Sequence, residues 1–134
     1  MKIVVAIGFF ICAFYSIETV AQKKIYFDAN WNRTTQQKAS YYRSLDNANK
    51  EKKLVIDYFI TGKKVREVFY DNGRPDGKFS EFYSSGELKT TGTYKKGLKA
   101  GMWKTYYKNG KIKEKGSFKK GKKVGVWKIY YKND

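Results

Sequence analysis

The chain has no histidine, one cysteine and one proline. Without histidine it lacks the side chain that most often moves protons near neutral pH and the commonest ligand of zinc. The lone cysteine, Cys12, lies in an apolar run near the N-terminus, so no disulfide framework is available and no thiol remains further along. Acids are scarce as well: 12 against 29 basic residues, which leaves a net charge of +17. From Gly77 onward the acids are Glu81, Glu87, Glu114 and Asp134, and arginine is missing altogether. Glu81 and Glu114 are placed to share a face, but the sequence reads them as partners of nearby Thr or Lys rather than a catalytic carboxylate pair. No glycine-rich phosphate loop is present, because no helical pattern follows any of the glycines. These absences argue against an enzyme, a metal site or a bound cofactor.

What the chain has in excess is aromatic side chains and glycine. Aromatics make up 18% of it, and there are 12 Gly. That composition separates it from disordered basic tails and suits short strands joined by tight turns. The first residues stand apart. Lys2 precedes the apolar stretch Ile3–Tyr15, and Thr19-Val20-Ala21 precedes the polar Gln22. This is the layout of a secretory signal peptide cut after Ala21, so residues 1–21 are read as a signal peptide and the protein as exported, to the periplasm, the cell envelope or the outside.

Internal repetition organises the rest. Gly77, Gly101 and Gly125 recur every 24 residues, as do Gly86 and Gly110, Gly92 and Gly116, and Gly97 and Gly121. Phe79, Trp103 and Trp127 keep the same step, and so do Phe82-Tyr83, Tyr106-Tyr107 and Tyr130-Tyr131. A weaker copy runs one step earlier, through Tyr58-Phe59, Gly62 and Gly73. Each unit reads as two strands around a turn, with Asn109-Gly110 as a two-residue hairpin turn. A longer Lys/Gly-rich connection, such as Lys119–Lys123, then leads to the next unit. The fold expected is all-β: a single antiparallel meander sheet of tandem 24-residue β-hairpin repeats over residues 53–134. Residues 22–52 form a short N-terminal cap, with a strand at Ile25-Tyr26-Phe27 and a helix or strand within Thr34–Arg43.

Pairing Lys108 with Lys111 sets the register. Tyr107 then faces Ile112, Thr105 faces Glu114 and Trp103 faces Gly116, while Tyr83 faces Leu88 and Phe79 faces Gly92. A ring opposite a glycine covers its bare backbone, so Trp103 is expected over Gly116 and Phe79 over Gly92. In the first unit both partners change together, to Val55 and Val68.

The stretch Gly101-Met102-Trp103-Lys104-Thr105-Tyr106-Tyr107-Lys108-Asn109-Gly110 resembles the MORN repeat in its bacterial variant. Gly77–Gly86 follows with Phe79 for Trp, and Gly125–Tyr131 lacks the closing glycine. The resemblance implies an elongated sheet of stacked hairpins and a binding or scaffolding role, with lipid headgroups or protein partners and no catalytic residues. Many bacterial proteins of this type are catalogued as antitoxin components of toxin–antitoxin systems, which implies an antitoxin-like interaction module as the alternative role.

Simple alternation distributes the lysines. Lys111, Lys113 and Lys115 point one way on their strand, opposite Ile112, Glu114, Gly116 and Phe118; Lys89 repeats this one unit earlier. On the first strands Lys104 and Lys128 share a face with Tyr106 and Tyr130. Lys89, Lys104, Lys111, Lys113, Lys115, Lys128, Tyr106 and Tyr130 are therefore the candidate binding set. Phe79, Gly92, Trp103, Gly116 and Trp127 are the structural set. Lysine without arginine is a point charge lacking bidentate reach, which argues against nucleic acid. The partners expected are anionic lipid, acidic polysaccharide or a protein.

Overall fold

A computed structural model describes residues 23–45 and 52–132. The signal-peptide reading of residues 1–21 lies outside the described residues. Nine strands form one antiparallel sheet whose spatial order is the chain order. They are β1 (Lys24–Phe27), β2 (Tyr41–Ser44), β3 (Lys52–Phe59), β4 (Lys64–Asp71), β5 (Arg74–Phe82), β6 (Leu88–Lys95), β7 (Leu98–Tyr106), β8 (Ile112–Lys119) and β9 (Lys122–Ile129). A 3₁₀ turn at Gln36–Lys38 lies between β1 and β2. The N-terminal residues thus add two short strands to the same sheet.

The two kinds of turn are exchanged relative to the sequence reading. Asn109-Gly110 is not a two-residue hairpin turn. The Tyr107 N–H donates to the Lys111 carbonyl (2.9 Å) and the Gly110 N–H donates back to the Tyr107 carbonyl (2.9 Å). That leaves a three-residue loop, Lys108-Asn109-Gly110, in which only Gly110 takes a positive φ, +83°. The Asn109 side chain closes the loop by accepting the Lys111 N–H at 3.0 Å. Gly62 and Gly86 occupy the same slot with the same bonds. The two-residue turns are the Lys/Gly connections instead. Asn72-Gly73, Lys96-Gly97 and Lys120-Gly121 have positive φ at both positions, with Lys95 opposite Leu98 and Lys119 opposite Lys122. Positive φ at both central residues matches the right-handed twist of the strands these turns join.

The longer loop shifts the register near it. Trp103 pairs with Gly116 and Thr105 with Glu114, as the sequence predicts, but Tyr106 pairs with Ile112. Likewise Phe82, not Tyr83, pairs with Leu88. One residue per unit is left unpaired in a β-bulge: Val65, Lys89 or Lys113. A second bulge falls in the first strand of each unit. Gly92 lies opposite Gly101-Met102-Trp103, and Gly116 lies opposite Gly125-Val126-Trp127. Gly101 and Gly125, at φ +66° and +65°, make these bulges rather than turns.

This second bulge corrects the expected ring contact. Trp103 is the Cα partner of Gly116, but its ring lies on Gly92, in the preceding unit. A Cβ built on Gly92 would sit 2.1 Å from Trp103 Cδ2, and one on Gly116 would sit 2.2 Å from Trp127 Cδ2. The Trp103 Nε1–H donates to the Thr93 carbonyl at 3.2 Å, which holds the indole over β6. Each tryptophan thus binds its unit to the one before. Val68 pairs with Phe79 one step earlier: a smaller ring stands where the glycine is replaced by valine.

The rings continue into a ladder along one face. Trp103 lies edge-on to Tyr94 (5.2 Å, 86°) and to Phe118 (5.9 Å, 74°), and Phe118 lies edge-on to Trp127 (5.1 Å, 83°). Such pairs contribute roughly 0.5–1.5 kcal/mol each beyond the area they bury. Lys99 lies over Trp103 at 4.4 Å and Lys123 over Trp127 at 3.9 Å, roofing the ladder with aliphatic stems and cationic heads. Further bonds tie units at both ends. The Tyr83 and Tyr107 hydroxyls donate to the Tyr106 and Tyr130 carbonyls (2.7 and 2.8 Å). The Gly97 and Gly121 N–H groups donate to the Pro75 and Lys99 carbonyls (2.7 and 2.9 Å).

Toward the N-terminus the same face adds a buried charge cluster beside a second group of rings, Phe27, Trp31, Tyr41 and Phe59. Asp57 is fully buried. It accepts from Arg43 through Nε (2.6 Å) and Nη2 (3.0 Å), and from Arg66 Nε (2.6 Å). Burial works against the Arg43 charge, yet its hydrogen bond and attraction to Asp57 raise its pKa above the ordinary guanidinium value. The Arg66 guanidinium also lies 3.8 Å from the ring centre of Trp31, which stacks on Tyr41 at 4.3 Å. The Arg43–Asp57–Arg66 triad joins β2, β3 and β4 where the aromatic ladder does not reach.

Two stability outcomes follow from these contacts. Asp57→Asn leaves two guanidiniums facing one neutral amide and is expected to cost about 3–5 kcal/mol, read as a fall in the denaturant midpoint. Gly92→Ala is expected to cost about 1–3 kcal/mol by overpacking. Most of that loss should vanish in a Trp103→Ala background, whereas Gly116→Ala should couple to Trp127 and be additive with Trp103→Ala. Coupling of Gly116 to Trp103 instead would show that the rings lean the other way.

Candidate binding face

The pairings define transverse rows, one per face. On the ladder face the row runs Arg43, Asp57, Arg66, Glu81, Thr90, Thr105, Glu114, Ile129. On the opposite face it runs Glu67, Ser80, Thr91, Lys104, Lys115, Lys128. Lys104, Lys115 and Lys128 are thus direct cross-strand neighbours on β7, β8 and β9. Tyr106 and Tyr130 follow two residues after Lys104 and Lys128 on the same face, and the Lys115 ammonium lies 5.6 Å from the Tyr130 ring centre. Five of the eight candidate residues are therefore brought together.

The other three are not. Lys89 and Lys113 are the unpaired bulge residues, and a bulge breaks alternation. Lys89 Nζ bonds Glu81 Oε1 at 2.9 Å, on the ladder side. Lys113 Nζ lies 5.7 Å from the ring centre of Tyr107, whose hydroxyl stays within the hairpin stack. Lys111 ends the three-residue loop, exposed and outside the row. Ile112, expected with Glu114 and Phe118, moves to the lysine face opposite Tyr106.

Charge is sorted between the faces. Glu81 is bound by Lys89 and Glu114 by Lys123 (3.0 Å), both on the ladder side. The nearest carboxylate in the lysine row is Glu67, three strands from Lys104 and held by Lys64 at 2.5 Å. Like charges directly opposite one another in a sheet are destabilising, by tenths of a kcal/mol up to about 1. The row keeps three in succession. Beside it lies a groove of about 350 Å³ walled by Lys78, Ser80, Thr91, Met102, Lys104 and Tyr106. Lys78 and Met102, half-hidden in the strand pattern by the glycine bulges that precede them, were not among the candidates; Met102 is 53% exposed.

Among the described residues no group of three or more His, Cys, Asp or Glu side chains is placed to hold a metal. Asp57, the most buried acid among the described residues, is held by two guanidiniums through three hydrogen bonds. These features fit a binding or scaffolding protein: an all-β repeat sheet with one face packed and the other basic. The family described as MORN repeat variant matches residues 75–96 and residues 99–120, which are the β5–β6 and β7–β8 hairpins. No curated protein matches the chain. The β3–β4 hairpin, outside the matched residues, repeats the loop bonds at Phe59–Lys63 and the bulge at Val65.

Removing the central charge of the row should relieve its repulsion. Lys115→Thr is expected to stabilise the protein by about 0.2–1 kcal/mol, more at low salt than at high, in urea titrations at two ionic strengths. A loss of stability would mean that the row is compensated.

Proposed function

We propose that this chain is a non-catalytic binding protein, exported to the cell envelope or beyond, whose lysine face docks on closely spaced anions of a lipid surface or an acidic polysaccharide. The observation that carries this reading is the row Lys104–Lys115–Lys128, three like charges on adjacent strands without a carboxylate beside them. Strand spacing sets the pitch, with neighbouring Cα atoms about 4.5–5.5 Å apart. Tyr130 adds a ring with an apolar body and a polar tip at the same face, suited to an interface. An array of anions repays the repulsion the sheet carries when unbound.

Each lysine at an anionic surface contributes about 1 kcal/mol. Lys104→Gln with Lys115→Gln and Lys128→Gln should then weaken binding roughly 100-fold, while Lys89→Gln with Lys113→Gln, on the other face, should leave it nearly unchanged. The measurement is co-sedimentation with phosphatidylserine-containing vesicles, neutral vesicles and alginate beads at two salt concentrations. Binding confined to vesicles or to alginate identifies the source of the anions. Equal retention on neutral and anionic supports would sink the reading and favour a protein partner.

A further inference from the structure

A separate cavity of about 530 Å³ opens at the end of the sheet where the two-residue turns lie. It sits between the Lys96-Gly97 and Lys120-Gly121 turns, which the Gly121 N–H···O=C Lys99 bond holds together at 2.9 Å. Leu98, Ala100 and Phe118 supply its apolar lining, and the Lys99 ammonium lies over the Phe118 ring at 5.1 Å. Leu98 is 49% exposed although its methyl group lies within 3.4 Å of where a Gly121 Cβ would stand. Lys95, Lys96, Lys99, Lys119 and Lys120 form the rim. None of the five ammonium groups is paired with a carboxylate among the described residues. Asp76 accepts the backbone N–H of Lys96 at 3.0 Å and does not line the cavity.

The repeat supplies an internal comparison. Twenty-four residues earlier, Arg74 stands for Leu98, Asp76 for Ala100 and Asp71 for Lys95. The cavity there, about 360 Å³, is lined by Asp71, Asn72, Arg74, Asp76 and Lys96, so it carries its own counter-charges and no apolar floor. The hairpin geometry is the same, with positive φ at Asn72 and Gly73 as at Lys96 and Gly97. The fold therefore does not require an apolar floor ringed by unpaired lysines, and the later unit has both.

We propose that this cavity is a binding site for a small amphiphilic anion, an aliphatic or aromatic carboxylate whose tail covers Leu98, Ala100 and Phe118 and whose head meets the lysine rim. Its volume lies within the range of about 300–1,000 Å³ typical of small-ligand pockets. Charge complementarity selects the head, because lysines line the cavity and no acid does. The apolar floor selects the tail, because an exposed leucine beside a half-buried phenylalanine gains from being covered. The site uses none of Lys104, Lys115 and Lys128, so it does not depend on the proposed surface binding.

The test is a titration of the ¹⁵N-labelled protein with decanoate, followed by amide chemical shifts. Saturable shifts are expected at Leu98–Gly101 and Lys119–Gly121. Acetate, which has the head without the tail, and decanol, which has the tail without the head, should each bind at least about ten-fold more weakly. Leu98→Arg with Ala100→Asp copies the preceding unit and should abolish the shifts while the remaining spectrum stays dispersed. If that variant does not fold, Lys95→Gln with Lys119→Gln and Lys120→Gln serves the same purpose and should weaken decanoate at least about ten-fold. Lys104→Gln with Lys115→Gln and Lys128→Gln should bind decanoate normally. No saturable shift at these amides, decanol binding as tightly as decanoate, or undiminished binding by the folded cavity variants would each overturn the proposal.

Discussion

The sheet depends on a ring lying on bare backbone. A single layer of strands offers little interior, and Val65, Val68 and Trp103 are its buried apolar side chains among the described residues. Two packed layers would hide hydrophobic surface between them; here each unit covers part of the last. Trp103 on Gly92 and Trp127 on Gly116 do this with a contact so close that one methyl group in place of hydrogen would overlap the indole. The glycines weaken the strands locally but admit this approach. The glycines at 101 and 125 supply the bulge that swings each indole backward. Where the ring-on-glycine contact gives out, toward the N-terminus, the Arg43–Asp57–Arg66 cluster joins β2, β3 and β4, beside ring pairs such as Trp31–Tyr41 and Tyr42–Tyr58.

The bulges also divide the chemistry. A regular sheet would place every second lysine on one side. The unpaired residues at 89 and 113 interrupt alternation once per unit and carry those lysines to the ladder face, where one meets Glu81 and the other a tyrosine ring. What remains on the opposite face is narrower than a blanket of positive charge. It is a line of three cations with two tyrosines along one side, and hydroxyl side chains of Ser80 and Thr91 continue the line toward the centre of the sheet.

Much of this was legible in the residues. The 24-residue step, the antiparallel meander and the Trp103–Gly116 and Val55–Val68 pairings follow from glycine and aromatic spacing, and the structure has them. The expectation that Glu81 and Glu114 are held by nearby lysines also agrees with the structure. The turn exchange was not legible, because Asn-Gly suits both a two-residue turn and the end of a three-residue loop. Lys96 and Lys120, which adopt positive φ, carry no marker of it. The transfer of Lys89 and Lys113 depends on that loop, since the extra residue moves the bulge onto them. Ring direction was hidden for another reason: pairing tells which residues are opposite but not which neighbour a large side chain leans on. Asp57 did leave a signal, an acid inside the apolar run Leu54–Phe59 with arginines at 43 and 66.

Because spatial order equals chain order, every strand is hydrogen-bonded only to the strands before and after it in sequence. Such an assembly behaves as a one-dimensional chain of coupled units rather than as a globule. Tension applied to the two ends of the sheet would separate strands one at a time, in the manner of a zip fastener, starting from a terminal strand with one neighbour. At the β9 end the first side-chain contacts to open are the Phe118–Trp127 ring pair and the Tyr107 hydroxyl bond to the Tyr130 carbonyl, and the Arg43–Asp57–Arg66 cluster on β2, β3 and β4 begins five strands away. The molecule therefore has a built-in mechanical polarity: a β9 end that peels hairpin by hairpin, and an N-terminal half in which the Arg43–Asp57–Arg66 cluster makes the bonds of three strands break together.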